Sequence, residues 1–202
     1  MTVGYKQTLN FIDEDVKHNL HYIFSVHGVP NKIIEVGTFE GLTACYISDV
    51  YGHLGPIKIW CIDPHMPSDD LDTDMHKIKQ NFLHNISVCT NKDIKYVCKP
   101  SFNGLLELLN EKITAQFIYI DGDHRSSYVL EDLVLAFNLL PIDGIILCDD
   151  TNWVNSKNDQ IPESPSLAPR MAIENFIQCN WHRIRLIDLP RGHQAAFQKI
   201  NV

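Results

Sequence analysis

The sequence predicts an α/β fold: an open, mostly parallel seven-stranded sheet with helices on both faces and a C-terminal antiparallel hairpin. Three observations carry this prediction. Short β-branched runs alternate with helix-periodic segments through the first 150 residues, as they do where parallel strands are joined by helical crossovers. The strand-like runs end on Glu35/Gly37, Asp63, Asp121 and Asp149/Asp150, with Ser101 just past the third. The carboxyl ends of strands are where such sheets bind ligands. Finally, two strand-like runs stand next to each other at the end of the chain, joined through Pro190-Arg191-Gly192, which reads as a hairpin.

Each element has its own signal. Ile12, Val16, Leu20, Ile23 and Phe24 recur at helical spacing in an N-terminal helical segment, 1–30, that closes near Gly28. The run 32–36 is the first strand, 42–50 a helix and 57–63 the second strand. A polar stretch, 64–74, leads into a helix carrying Met75, Ile78 and Phe82. Then follow a strand at 94–99, a short helix at 103–110 and a strand at 116–121. Residues 127–140 form a helix with Val129, Leu130, Leu133, Phe137 and Leu140 inward, and 144–150 is the fifth strand. Residues 151–169, rich in Asn, Ser and Pro, lack periodicity and read as a lid loop. A helix at 171–178 and strands at 183–189 and 194–200 complete a single domain, 1–202.

Composition removes several classes of function. A net charge of −8, with Lys and Arg scattered, lacks the concentrated positive charge that nucleic-acid binding needs. No apolar run is long enough to span a bilayer, and the first residues lack a signal-peptide pattern. Six cysteines without a CxxC pair sit mostly in apolar runs, which points to reduced core thiols and a cytoplasmic location.

The stretch 35–41, "EVGTFEG", follows the first strand. Gly37 and Gly41 allow a tight turn and close approach to a ligand. Phe39 replaces the middle glycine of the dinucleotide fingerprint, and the phosphate loop GxxxxGK[ST] is absent. Asp63 ends the second strand, where a carboxylate can accept both hydroxyls of a ribose. This combination resembles the class I S-adenosylmethionine-dependent methyltransferases, whose fold is Rossmann-like. With an aromatic in the middle it is similar to catechol and caffeoyl-CoA O-methyltransferases. The resemblance implies that Glu35 and Gly37 lie by the methionine part of S-adenosyl-L-methionine, that Thr38, Phe39 and Gly41 belong to the same cofactor site, and that Asp63 holds its ribose. It places Ser101 and Phe102 beside the adenine; a helix cap is the competing reading of Ser101.

Asp121, Asp149 and Asp150 end neighbouring strands, and parallel strands lie about 4.8 Å apart. Clustered carboxylates repel unless a proton or cation intervenes, and all-oxygen ligands suit Mg²⁺, Mn²⁺ or Ca²⁺. Turns and helix caps are the plainer reading of each aspartate alone. Together, "DGDH" and "DDTNW" resemble the metal motif of cation-dependent O-methyltransferases. The Asp-Asp pair is similar to the macrocin and novobiocin sugar O-methyltransferases and the cephalosporin hydroxylase-like group. Carried over by position, Asp121, Asp149 and Asp150 are the metal ligands and Asp121 borders the cofactor. The resemblance spans about residues 33–153.

Where the catechol-type enzymes carry a lysine base, this chain has His124. Histidine titrates near neutrality and can take a hydroxyl proton; a surface or capping histidine is the alternative. His65 reads as a turn residue or one lying over adenine, and His193 as part of the hairpin turn. Trp153 and Trp181 read as core or lid anchors, while Asn155 and Arg170 are candidates for choosing the acceptor. The expected activity is metal-dependent O-methylation of a small hydroxylated molecule, sugar or catechol-like. A homodimer is compatible with the resemblance, although no interface is legible. Two alternatives stand: a nucleotide-sugar glycosyltransferase using Asp121-Gly122-Asp123, and a non-catalytic cofactor-binding subunit.

Overall fold

The computed structural model describes residues 4–8, 12–67, 73–90, 93–152 and 168–201. Most of the predicted lid, including Trp153 and Asn155, lies outside them. Seven strands form one sheet: β1 (Lys32–Val36), β2 (Lys58–Ile62), β3 (Ile94–Val97), β4 (Phe117–Ile120), β5 (Ile145–Cys148), β6 (Ile184–Ile187) and β7 (Ala195–Lys199). Their order is β3-β2-β1-β4-β5-β7-β6. The first five are parallel, while β7 is antiparallel to both β5 and β6. The hairpin is therefore as expected, but its second strand joins the sheet and its first becomes the edge.

Among the described residues six α-helices cover the two faces: α1 (Glu14–His27), α2 (Leu42–Tyr51), α3 (Met75–Val88), α4 (Ser101–Asn110), α5 (Ser126–Leu139) and α6 (Pro169–Cys179). Period-2 alternation of the strands decides which face each side chain feeds. Ile33, Cys61, Phe117, Tyr119 and Leu147 pack with α1, α2 and α3. Ile34, Ile62, Ile118 and Ile146 pack with α4, α5 and α6. Burial on both faces is why the central strands read as continuous apolar runs. Each fully buried large aliphatic side chain stabilises the fold by roughly 1.5–3 kcal/mol.

Helix ends follow local chemistry. Asp13 caps α1 by accepting from the Val16 amide, and Asp74 caps α3 by accepting from His76 and Lys77. Pro100 holds the N-cap position of α4, so Ser101 is its first helical residue and not its cap. Four cysteines are buried, Cys98 and Cys179 are exposed, and all six are free thiols. Among the described residues no helix is long and apolar enough to cross a membrane.

Candidate functional site

The carboxyl edge of β2, β1, β4 and β5 collects the residues that the sequence singled out. Ladder hydrogen bonds continue past the strand ends: Gly37 N–H donates to Ile62 at 2.9 Å, Asp121 N–H to Val36 at 2.9 Å, and Asp149 N–H to Ile120 at 2.9 Å. Those bonds fix the backbone from which the carboxylates project.

The 35–41 loop is wound tightly against this edge. Gly37 has φ +81°, and a Cβ there would run into the Asp121 carbonyl. Phe39 also takes a left-handed conformation, with φ +46°. Its amide donates to Asp63 Oδ2 at 2.8 Å, while Asp63 Oδ1 accepts from the His65 amide at 2.7 Å. Gly41 opens α2, and a Cβ there would lie 2.8 Å from the Phe82 ring. Beneath the loop, buried Glu35 accepts from the Thr38 hydroxyl at 2.6 Å and from the Cys61 thiol at 3.5 Å. Burial pushes the Glu35 carboxyl up to about 7, against those two hydrogen bonds.

Ser101 and Phe102 begin α4 beyond β3. Phe102 is 44 % exposed, which leaves its ring free to cover a flat ligand. The expected loop, ribose acid and α4 start thus share one sheet edge.

On the other side of β1, ligand atoms of Asp121, His124 and Asp150 lie within 4.8 Å of one another. His124 Nε2 is 3.0 Å from Asp150 Oδ2. Asp149 faces a different set of partners. The buried Tyr119 hydroxyl donates to its Oδ2, the Asp150 amide donates to Oδ1 at 2.8 Å, and His193 Nε2 is 3.5 Å from Oδ1. The structure therefore groups His124 with two of the three expected aspartates and sets Asp149 against β4 and the hairpin. Burial raises the Asp121 carboxyl well above the carboxylate range, and the charges of Asp149, Asp150 and Glu35 raise it further. Burial also raises Asp149, with Tyr119 opposing and Asp150 adding.

Asp123 is turn structure. It accepts from the Arg125 amide at 2.8 Å and pairs with its guanidinium at 2.5 Å. The Asp-Gly-Asp reading thereby loses its second acid to an arginine. Trp181, at 64 % exposure, is no core anchor, and Arg170 pairs with Glu174 at 2.7 Å.

Several participants were missed in the sequence. Glu40 is buried inside the loop and ties Thr8 and Asn81 together, with oxygen distances of 2.8 Å and 2.6 Å. Asn19 of α1 donates to Gln194 at 2.8 Å, and Gln194 in turn lies 3.5 Å from the Tyr119 hydroxyl. Only Tyr119 carried a usable signal: it stands two residues before Asp121 and so projects from the same side of the strand.

Residues 34–151 match the family model described as a methyltransferase domain. No curated protein matches the chain significantly. Among solved structures, an O-methyltransferase from Bacillus cereus in complex with S-adenosylhomocysteine (SAH) superposes with a TM-score of 0.65 at 17 % identity, covering 93 % of this chain and 82 % of that one. The O-methyltransferase TomG from Streptomyces achromogenes, in complex with S-adenosylmethionine, gives 0.61 at 12 % identity, covering 94 % and 82 %. The mycinamycin-pathway methyltransferase MycE, in complex with Mg and SAH, gives 0.63 at 12 % identity, covering 96 % of this chain and 51 % of that longer one.

Proposed function

Because this chain belongs to the methyltransferase-domain family, we propose that it transfers a methyl group from S-adenosylmethionine to a hydroxyl of a small acceptor, aided by a divalent cation. The observation that carries the reading is the pairing, on one sheet edge, of a pinned loop with its acid and a cluster of crowded acids. The likeness to structures that hold SAH, S-adenosylmethionine and Mg supports both cofactors.

In this reading Asp63 presents its carboxylate to the ribose, and Ser101 and Phe102 border the adenine. Glu35, Gly37, Thr38 and Gly41 shape the methionine side. S-Adenosylmethionine supplies an electrophilic methyl group when bound. The carboxylate oxygens of Asp121 and Asp150, with the His124 imidazole beside them, fit a hard divalent cation. Asp121 and Asp150 would hold such an ion, with Asp149 behind them, and it would supply acidification of an acceptor hydroxyl. Two neighbouring acceptor hydroxyls match this donor set, so a sugar ring or a catechol-like natural product is the proposed substrate class. His124 is the proposed proton acceptor: its Nε2 lies in the cluster and is oriented by Asp150.

Calorimetry with SAH, followed by methyl-transfer assays on vicinal diols with Mg²⁺ or EDTA, tests the reading. SAH binding together with EDTA-sensitive turnover is expected. No SAH binding, or turnover indifferent to EDTA, would refute the corresponding half. In His124→Ala, a lost limb of the pH–rate profile with cation affinity kept identifies the base. Lost cation affinity identifies a third ligand instead.

A further inference from the structure

His65 lies three residues past β2, and its side chain is completely buried. Its amide and both ring nitrogens are engaged beside the cofactor loop. Its amide donates to Asp63 Oδ1 at 2.7 Å, Nε2 is 2.7 Å from the Phe39 carbonyl oxygen, and Nδ1 is 2.7 Å from the Tyr96 hydroxyl. A carbonyl only accepts, so Nε2 carries the hydrogen, which fixes the ring's orientation and leaves Nδ1 to face Tyr96. The ring is wedged between Phe82 and Tyr96, with centroids 5.3 and 5.4 Å away. It offers no open face for stacking and acts through its neighbours.

Those neighbours are the working parts of the proposed cofactor pocket. Phe39 sits in a left-handed conformation that a bulky residue adopts only when its surroundings hold it there. Both of its peptide groups are held: the amide by Asp63 Oδ2 and the carbonyl by His65 Nε2. Each Asp63 oxygen in turn receives one backbone N–H, so the carboxylate cannot rotate without breaking the loop or the turn. His65, Phe39 and Asp63 form a closed triangle whose corners come from two separate loops.

We propose that His65 is a positioning residue of the cofactor site, holding the Phe39 carbonyl so that the 35–41 loop and the Asp63 carboxylate are set before the ribose arrives. This rests on the S-adenosylmethionine reading above. Pre-setting a site lowers the ordering cost of binding, so its loss appears in affinity for the cofactor and in KM, with little change in kcat once the cofactor saturates.

The test is SAH calorimetry on the full chain and two variants. His65→Asn tolerates the left-handed backbone at this position (φ +48°) but is too short to reach the Phe39 carbonyl. His65→Gln restores an N–H at comparable reach. The expected result is SAH affinity at least about tenfold weaker in His65→Asn and within about threefold of wild type in His65→Gln, with the KM for S-adenosylmethionine following the same order. Equal binding by all three proteins overturns the proposal, as does equal weakening of both variants, which would make ring packing the cause. Failure of the wild type to bind SAH instead sinks the cofactor reading itself and the proposal with it. Should either variant fail to fold, nitrogen NMR of the wild-type histidines decides: a protonated Nε2 on His65 is expected, and an Nδ1–H tautomer would leave the Phe39 carbonyl without its donor and overturn the proposal.

Discussion

The two halves of the sheet's carboxyl edge solve opposite electrostatic problems. Around β1 and β2, the acids are matched by donors already in the chain: Asp63 accepts two backbone amides, and Glu35 accepts a hydroxyl and a thiol. Around β4 and β5, Asp121, Asp149 and Asp150 crowd together, and among the described residues they meet Tyr119, His124 and His193 but no lysine or arginine. The first half is finished before a ligand arrives. The second holds negative charge that a proton or cation would relieve. A site that must bind a neutral-headed ribose benefits from fixed geometry, whereas one that must attract a cation benefits from unrelieved charge.

The largest expected effect breaks the first half. Gly37→Ala puts a methyl group into the Asp121 carbonyl at a backbone angle that disfavours any side chain. Because β1 and β4 meet there, the loop and the acid cluster shift together. We expect a loss of stability of about 2–4 kcal/mol and no measurable SAH binding, read by urea denaturation and calorimetry.

Next in size is a change that separates the halves. Asp121→Asn removes charge from the crowded cluster and leaves the loop untouched. Metal-dependent turnover should fall at least about a hundredfold, while SAH affinity stays within about threefold of wild type. At pH 8, without added metal, the variant should melt higher than wild type, because a buried carboxyl crowded by like charges is replaced by a neutral amide. Mn²⁺ should raise the melting temperature of wild type only. Parallel loss of SAH binding would show that the two halves are one unit.

The contrast also explains what was legible in the sequence. Strand-end acids and the glycine loop were visible because each follows a β-branched run at a fixed offset, and parallel register then brings those ends together. Which partner each acid takes has no local signature. Asp149 and Asp150 are adjacent in the chain, yet one faces Tyr119 and the other His124, since the strand ends at Cys148 and Asp150 turns into a left-handed conformation, φ +56°. The insertion of β7 between β5 and β6 was equally hidden, because a hairpin pattern does not say which strand joins the sheet. That insertion brings His193 and Gln194 to the site. The role of Glu40 depends on contacts with 4–8 and α3, long-range pairings that no local periodicity encodes.

Acidity is shared by both halves. Burial lifts Glu35 to about 7, as it does the buried Asp132 of α5, and it lifts Asp121 and Asp149 in the same direction. A carboxyl whose folded pKa lies above its unfolded value holds its proton longer when folded. Its stabilising contribution is complete below the unfolded value and is lost as pH rises towards the folded one. For Glu35, the rise from 4.5 to about 7 corresponds to about 3 kcal/mol. Wild-type stability should therefore decline between pH 4.5 and 8. Glu35→Gln should flatten part of that decline, and Mn²⁺ should oppose the part due to Asp121 and Asp149. Denaturation midpoints at pH 5 and pH 8, with and without Mn²⁺, measure both.

The smallest effect probes the seam between the chain's own donors and the unrelieved acids. The Tyr119 hydroxyl is buried and donates to Asp149, lowering its carboxyl pKa against the rise from burial. Tyr119→Phe deletes that donor and keeps the ring in the α1-facing core. Asp149 retains the Asp150 amide and the nearby His193, so the cost should be about 1 kcal/mol rather than that of a fully orphaned carboxylate. Asp149 should then hold its proton to higher pH, and turnover should need more alkaline conditions or more metal to reach its wild-type value. SAH affinity should not move, because no link of the Phe39–Asp63–His65 triangle passes through Tyr119. A pH–rate profile and a metal titration on this variant check both statements. An unshifted profile would place Asp149 outside the chemistry, leaving Asp121, His124 and Asp150 as the working cluster.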